Sequence, residues 1–283
     1  MLPGTSASLQ RFLPISLPLL VRTWWDYWFT LLISSGTLMG FHWLAVTFLP
    51  AYNLRYRLTY IRKMPPFVKA MFGPDLLAIS SMTAMNSFAY LHPVTLAILM
   101  AVAIIIPSWM LVGQIDRGTI ELTLSTPTSR KKIVLTTIFA GLLAGAVLAG
   151  AMLLGTWIGI QRTKLPEPIV FKHIVTIVIN LYAIYILCMS VSIFTGAIAS
   201  IRGTAVGLAM AFCVVAYLIH FLAEWWKLVE KIAFLGPLYY FRPIKIAAGT
   251  YDPTQDILTL LGASVVLMII STIWFSKRDI AVV

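Results

Sequence analysis

Six apolar runs alternate with polar stretches along the chain: about Tyr27–Leu49, Phe88–Val112, Ile133–Ile160, Ile174–Ile201, Thr204–Ala223 and Ile257–Phe275. Each is close to the ~20 residues that a helix needs to cross a bilayer. None contains Asp, Glu, Lys or Arg. One such residue at a helix centre would cost roughly 2.5–3.5 kcal/mol on insertion scales, so the pattern is what membrane insertion demands. It predicts an all-α polytopic membrane protein of six transmembrane helices, with a short helix in the polar connector between helices 2 and 3. An even number of spans puts both termini on one side.

The connectors divide the chain further. Residues 1–26 read as an N-terminal interfacial segment and residues 27–283 as one six-helix transmembrane domain. The opening stretch is a poor signal peptide, because its apolar run is short and broken by Pro14 and Pro18. Trp24, Trp25 and Trp28 suit an aromatic belt at the membrane surface. Two long loops, 50–87 and 224–256, lie on one side of the membrane, and the polar segment 113–132 lies on the other. In the first loop, MPPFVKAMFGP has Pro66 at a first helical position, Gly73 as a C-terminal cap and Pro74 as a stop, which predicts a short interfacial helix. The second loop is rich in aromatics and only partly polar, so it is expected to dip partly into the membrane.

Composition agrees with this reading. Of 283 residues, 60% are hydrophobic and 11% charged, against roughly 25% charged in soluble domains. The net charge of +11 is scattered over the loops and forms no continuous patch, which excludes nucleic acid as a partner and fits contact with lipid headgroups. Lys and Arg divide almost evenly between the two sides, so charge alone does not orient the chain. Cys188 and Cys213 lie inside apolar runs and read as packing residues. Small residues recur at helical spacing: Gly36 and Gly40; Gly141, Gly145 and Ala149; Gly155 and Gly159; Gly203, Gly207 and Ala211. That spacing lets helix backbones approach closely, within one bundle or between two copies.

No enzyme signature is present: HExxH, GxSxG and CxxC are all missing from the sequence. His42 and Asn180 are the strongly polar residues within spans, and neither has an acidic partner in a neighbouring run, which argues against a proton relay. No GxxxxGK[ST] loop occurs either, so the chain needs no metal or nucleotide of its own and any ATP chemistry belongs to a partner.

The connector GQIDRGTIELTLSTPTSRKKI carries Asp116, Arg117, Glu121, Arg130, Lys131 and Lys132 between two apolar runs. Ile115–Thr126 can form a short helix stopped by Pro127. Arg117, Glu121 and Ser125 form a polar strip, Ile115 and Leu122 share one apolar side, and Ile120 and Leu124 share another. Gly118 costs such a helix roughly 1 kcal/mol against Ala, so the segment is not tuned to stand alone. It suits a place between the bundle and a soluble partner; a solvated connector with membrane-anchoring charges is the other reading. Thr128 or Ser129 can cap the third span. Arg130, Lys131 and Lys132 then fall in its first turn, where the helix dipole opposes them.

These residues resemble the signature of type-2 ABC transporter permeases, the ABCG-like exporter class. The matching positions are Gly113, Gln114, Gly118-Thr119, Glu121-Leu122, Leu124, Pro127, Ser129 and Arg130, supported by MPPFVKAMFG, GPLYYFRPIKIAAGTYD and the Phe-x-x-Arg-Asp ending in FSKRDIAVV. Gln114 stands where that family commonly has Glu, and Asp116 is a candidate substitute for the lost charge. The resemblance implies the membrane subunit of an ATP-driven exporter, no enzyme by itself, with 113–132 as a coupling segment for a separate ABC ATPase subunit that holds the ATP and Mg. It implies polar contacts through Arg117, Glu121 and Arg130, apolar contacts through Ile120 and Leu124, and shape set by Gly118, Thr119 and Pro127. It also implies a second permease copy as a homodimer partner, both termini in the cytoplasm, and the plasma (inner) membrane of a prokaryotic cell. The alternatives are an ion-coupled carrier, a non-transporting membrane sensor subunit and, with least support, a membrane enzyme. The cargo is not written in the sequence, although apolar pore-facing sides of spans one, two and five favour an amphipathic or lipid-like molecule.

Overall fold

The computed structural model describes residues 14–51, 63, 65, 81–118, 129–223 and 226–278. The predicted helix in MPPFVKAMFGP therefore lies outside the described residues. Every regular element among those described is helical, and six helices are long and apolar enough to cross a membrane. The protein is an all-α, multi-pass membrane protein.

Helix α1 spans Leu17–Phe48 and starts well before the predicted Tyr27. Pro18 does not break it, because a proline in the first turn forfeits an N–H that has no partner there anyway. Residues 17–26 and the first span are thus one helix. The second apolar run, in contrast, is not one helix. It divides into α2 (Met82–Leu91) and α3 (Pro93–Met110), which corrects the continuous span expected from Phe88 to Val112. The residue before a proline is pushed out of helical geometry, and His92 sits at φ −62°, ψ 137°. Pro93 then opens a new helix, with His92 Nδ1 accepting the Val94 N–H at 3.3 Å. Below α3 comes α4 (Val112–Asp116), followed by α5 (Arg130–Arg162), α6 (Phe171–Ile198) and α7 (Arg202–Ala223). Two short helices, α8 (Lys227–Glu230) and α9 (Pro243–Ala247), precede α10 (Thr254–Lys277). The spans of α5, α6, α7 and α10 agree with the apolar runs to within a few residues.

Helix α6 is the centre of the bundle, touching α3, α5, α7 and α10. Helix α1 lies along α5. Glycine makes these approaches possible, since an α-carbon without a side chain lets a neighbour come closer. A Cβ on Gly145 would sit 2.3 Å from the Tyr185 ring, and one on Gly155 would sit 2.1 Å from the backbone oxygen of Met39. The space at Gly145 has a use: Tyr185 lies flat against α5 and its hydroxyl donates to Gly141 O at 2.9 Å, while Tyr182 donates to Leu142 O at 2.8 Å. Gly36, Gly40, Gly203 and Gly207 behave differently. A Cβ on any of them meets nothing within 4 Å, so the expected close packing holds for Gly141 and Gly145 on α5 and not for Gly203 and Gly207 on α7. Helix α7 lies at the edge of the bundle and turns those glycines away from it.

Most hydroxyls inside the spans donate to their own helix one turn back, as Thr23, Thr137, Ser264 and Ser271 do. A hydroxyl in a low-dielectric bundle needs a partner, and the preceding turn supplies one. Ser192 is an exception that joins helices, donating to Ile104 O of α3 at 3.1 Å.

The two ends of the bundle are closed differently. At one end, Ser16 N–H donates to Thr136 Oγ1 at 2.9 Å and Arg130 donates to the carbonyl of Arg278. The start of α1, the start of α5 and the end of α10 therefore meet at the end where the 113–132 insert emerges. At the distal end, Val170 N–H donates to Thr83 Oγ1 at 2.9 Å, the Tyr90 and Thr156 hydroxyls are hydrogen-bonded at 2.6 Å, and His173 Nδ1 meets Ala247 O at 2.9 Å. The described part of the second long loop folds down onto the bundle, burying Leu238, Phe241, Ile244 and Ile246. Gly249, at φ +70°, turns the chain back over His173, and Arg242 lies against the rings of Tyr239 and Tyr251.

The glycine geometry leads to a direct comparison. Gly155→Ala forces a methyl against backbone that cannot swing aside, and overpacking of this kind costs about 1–3 kcal/mol. The thermal unfolding midpoint of the detergent-purified protein should fall for Gly155→Ala and stay unchanged for Gly36→Ala, whose methyl meets open space.

Candidate functional site

The lower end of α3 is built to be irregular. Pro107 lies within the helix and offers no N–H to the turn above it. Leu111 ends the helix at φ −95°, ψ −77°, still in the right-handed region, and its N–H donates to Pro107 O at 3.0 Å. Helix α4 then makes little more than one turn before Arg117 ends it, and Gly118 enters the left-handed region at φ +67°. Only glycine adopts that geometry without strain. The predicted helix Ile115–Thr126 is corrected on this point: it does not run through Gly118, because a residue at that positive φ is not in a right-handed helix. Thr119, Ile120, Glu121, Leu124 and Pro127 lie outside the described residues.

The described members of the predicted site take different places. Asp116 and Arg117 are exposed, whereas Gln114 is buried. Gln114 faces a crevice of about 50 Å³ that it shares with Arg22, Thr23, Asp26, Trp109 and Arg117. It is therefore set toward α1 of its own chain. The Arg22–Asp26 pair at 3.9 Å is largely exposed and contributes little to stability. The Arg117 guanidinium lies 3.7 Å from the centre of the Trp109 ring, and that of Arg202, the first residue of α7, lies 5.1 Å from it.

Arg130 is turned inward rather than out toward solvent. Ser129 caps α5 by accepting the Lys132 N–H at 3.3 Å, as the sequence suggested, and the Arg130 side chain reaches the carbonyl of Arg278. Arg278 in turn donates to Ala197 O at 3.0 Å, Ala199 O at 2.7 Å and Ser200 Oγ at 2.7 Å. Those are the unpaired carbonyls at the end of α6, which a cation satisfies well. Phe275, one turn earlier, is fully buried. The Phe-x-x-Arg ending is thus a clasp: the ring anchors α10 in the core and the guanidinium caps α6. Sequence reading quoted these residues without seeing their role, since a cap on a distant helix leaves no periodic signal.

A second feature opens above the insert. Helices α3 and α7 flank a groove of about 420 Å³ whose lining is almost wholly apolar, including Met100, Ile104 and Ile105 on one wall and Val206, Met210 and Tyr217 on the other. Spans two and five supply its walls, and α1 lends no residue to it.

His42 is fully buried, its Nε2 3.4 Å from Thr95 Oγ1 and its ring 4.2 Å from that of Tyr90. Among the described residues, no three of His, Cys, Asp or Glu come together as metal ligands.

The model of the ABC-2 family transporter proteins matches residues 29–280. The chain belongs to the ABC-2 transporter family. No curated protein matches it. An ABC-2 protein of this kind is the membrane permease component of an ABC transporter, a transport subunit that is not itself catalytic and that generally works with an ATPase subunit. In this ABC-2 permease the match takes in the groove walls, the insert and the Phe275–Arg278 clasp together.

The clasp is open to test. Arg278→Met keeps the apolar stem and leaves two backbone carbonyls of α6 without their donor, at roughly 1.5–3 kcal/mol for hydrogen bonds to a charged group. Its unfolding midpoint should drop clearly, with Arg278→Lys falling between it and the wild type, because an ammonium cannot span all three acceptors as a guanidinium does.

Proposed function

We propose that this chain is the membrane-spanning subunit of an ATP-driven exporter, moved by a separate ATPase that docks on the 113–132 insert. The observation that carries the reading is positional: the insert continues directly from α3, and α3 is one wall of the apolar groove. A partner that displaces the insert acts on that wall with nothing between but α4. The insert end, with both ends of the described chain, then faces the cytoplasm of a prokaryotic cell whose plasma membrane holds the bundle. ATP and Mg belong to the partner. Glu121, Ile120 and Leu124 are the residues assigned to contact it, with Thr119 and Pro127 shaping the segment and Asp116 the exposed acid nearest to it.

Two copies form the pathway in this reading. Helix α7 presents Gly203 and Gly207 to open space, next to the exposed Leu208, Met210, Val214 and Val215. A face of small residues suits the close approach of a second α7, and pairing there would enclose the groove between subunits. A groove so poor in polar groups suits an amphipathic or lipid-like cargo.

Two measurements follow. Glu121→Arg reverses a charge at the docking surface, where like charges cost several kcal/mol, so transport and cargo-stimulated ATP hydrolysis should fall about tenfold or more while insertion and dimerisation persist. Normal transport by that variant, in vesicles carrying the chain with its ATPase, would remove the insert from the coupling path. Gly207→Leu should shift the detergent-solubilised protein from dimer toward monomer in light scattering, and an unchanged mass would place the contact elsewhere.

A further inference from the structure

Arg202 is oddly placed by ordinary rules. It opens α7, where the helix dipole opposes a cation, and its Nε is buried without a hydrogen-bond partner. The compensation comes from Trp109 of α3, whose ring faces the guanidinium at 5.1 Å. Gly113 lies beside both groups: a Cβ there would make ordinary van der Waals contact, 3.5 Å from Arg202 Cδ and 3.4 Å from the indole edge. Arg117, where α4 ends, holds the same indole at 3.7 Å, and Tyr27 of α1 meets it edge-on at 6.3 Å and 80°. One side chain thus collects the insert, α7 and α1. Cation–π contacts of this sort hold strongly when shielded from water and need an aromatic face, which an aliphatic side chain lacks.

The surroundings of this ring are suited to movement. Pro107 offers no N–H to the turn before it and so removes one bond of the hydrogen-bond ladder just above Trp109, where α3 is easiest to bend. The buried residues of α7 are Ala205, Ala209, Cys213 and Ala216, all small. Such a seam has few interlocking side chains and resists sliding far less than the large side chains that line α6.

We propose that Trp109 is a positioning residue, the joint through which the insert steers α7 and so sets the width of the groove between α3 and α7. This rests on the exporter reading for its motor, but not for its geometry. Displacement of the insert draws on Arg117, the indole follows, and Arg202 carries α7 with it. Without the ring, the insert can move while α7 stays behind.

The test uses the full chain with its ATPase in liposomes. Trp109→Leu should keep assembly and basal ATP hydrolysis near wild type while cargo moved per ATP falls about tenfold; Arg202→Met should do the same, and the two together should be no worse than either, as one shared contact requires. Trp109→Phe, which restores an aromatic face, should recover most of the coupling. Transport per ATP unchanged in Trp109→Leu, or assembly and basal hydrolysis lost in proportion to transport, would overturn the joint. A second measurement needs no motor. Spin labels at Ala97→Cys and Val214→Cys, in a chain with Cys188→Ala and Cys213→Ala, report the spacing across the groove. A narrow distribution that broadens in Trp109→Leu and recovers in Trp109→Phe supports the joint, and one that does not broaden refutes it. Wild-type liposomes that hydrolyse ATP without moving cargo would sink the exporter reading alone, leaving the spacing experiment to decide the joint.

Discussion

The methyl-free face of α5 is what the rest of the bundle depends on. In a membrane, lipid tails compete equally well for apolar side chains, so helices hold together through close packing and internal hydrogen bonds. Gly155 and Gly159 admit the backbone of α1 at Met39 and Trp43, and Gly141 and Gly145 admit Met189 and the tyrosines of α6. Once those rings lie flat on α5, their hydroxyls reach carbonyls that ordinary helix spacing would keep out of range. The same four glycines therefore set the position of α1 on one side and of α6 on the other. From α6 follow α3, α7 and α10, which all pack on it.

The two sides of the groove are held in different ways. The α1–α5–α6–α10 side is fixed by glycine contacts, by buried side chains such as Leu148, Ile174 and Phe275, and by the arginine clasp that ties the ends of α6, α10 and the start of α5. Across the groove, α7 buries only Ala205, Ala209, Cys213 and Ala216, and α3 runs from the His92 cap to Leu111 with Pro107 inside it. The insert leaves from that side, directly below the groove.

The distal end shows the opposite economy. Helices α2 and α9 pack on each other and on α6, and the described part of the 224–256 connector buries Leu238, Phe241, Ile244 and Ile246. Asp252 accepts the Thr254 N–H at 3.1 Å and its hydroxyl at 2.6 Å, which holds its carboxyl below the usual range and starts α10. Burial, aided by the hydrogen bond to Asp256, pushes the Tyr251 phenol up, keeping it neutral and able to donate at 2.6 Å.

The sequence by itself determined the spans, the even topology, the all-α class and the existence of a polar insert, because insertion energetics act locally: a charge in a bilayer is costly wherever its helix packs. It also narrowed the cap of the third span to Thr128 or Ser129 and, through the resemblance, determined the family. What it read differently were the continuities. Pro18 looked like a break and is a helix start; His92-Pro93 looked like the interior of a span and is a joint; Gly118 looked like a weak helical residue and is a left-handed turn. Only the tertiary structure decided which small-residue stripe packs inside one chain, since Gly141 and Gly207 have the same spacing and differ in whether a neighbour stands opposite. Only it brought Arg117, Arg202 and Tyr27 to one indole, and Arg130 and Arg278 to the end of α6. These partners lie on different helices, and the contacts between helices carry no period that a single strand of sequence can display.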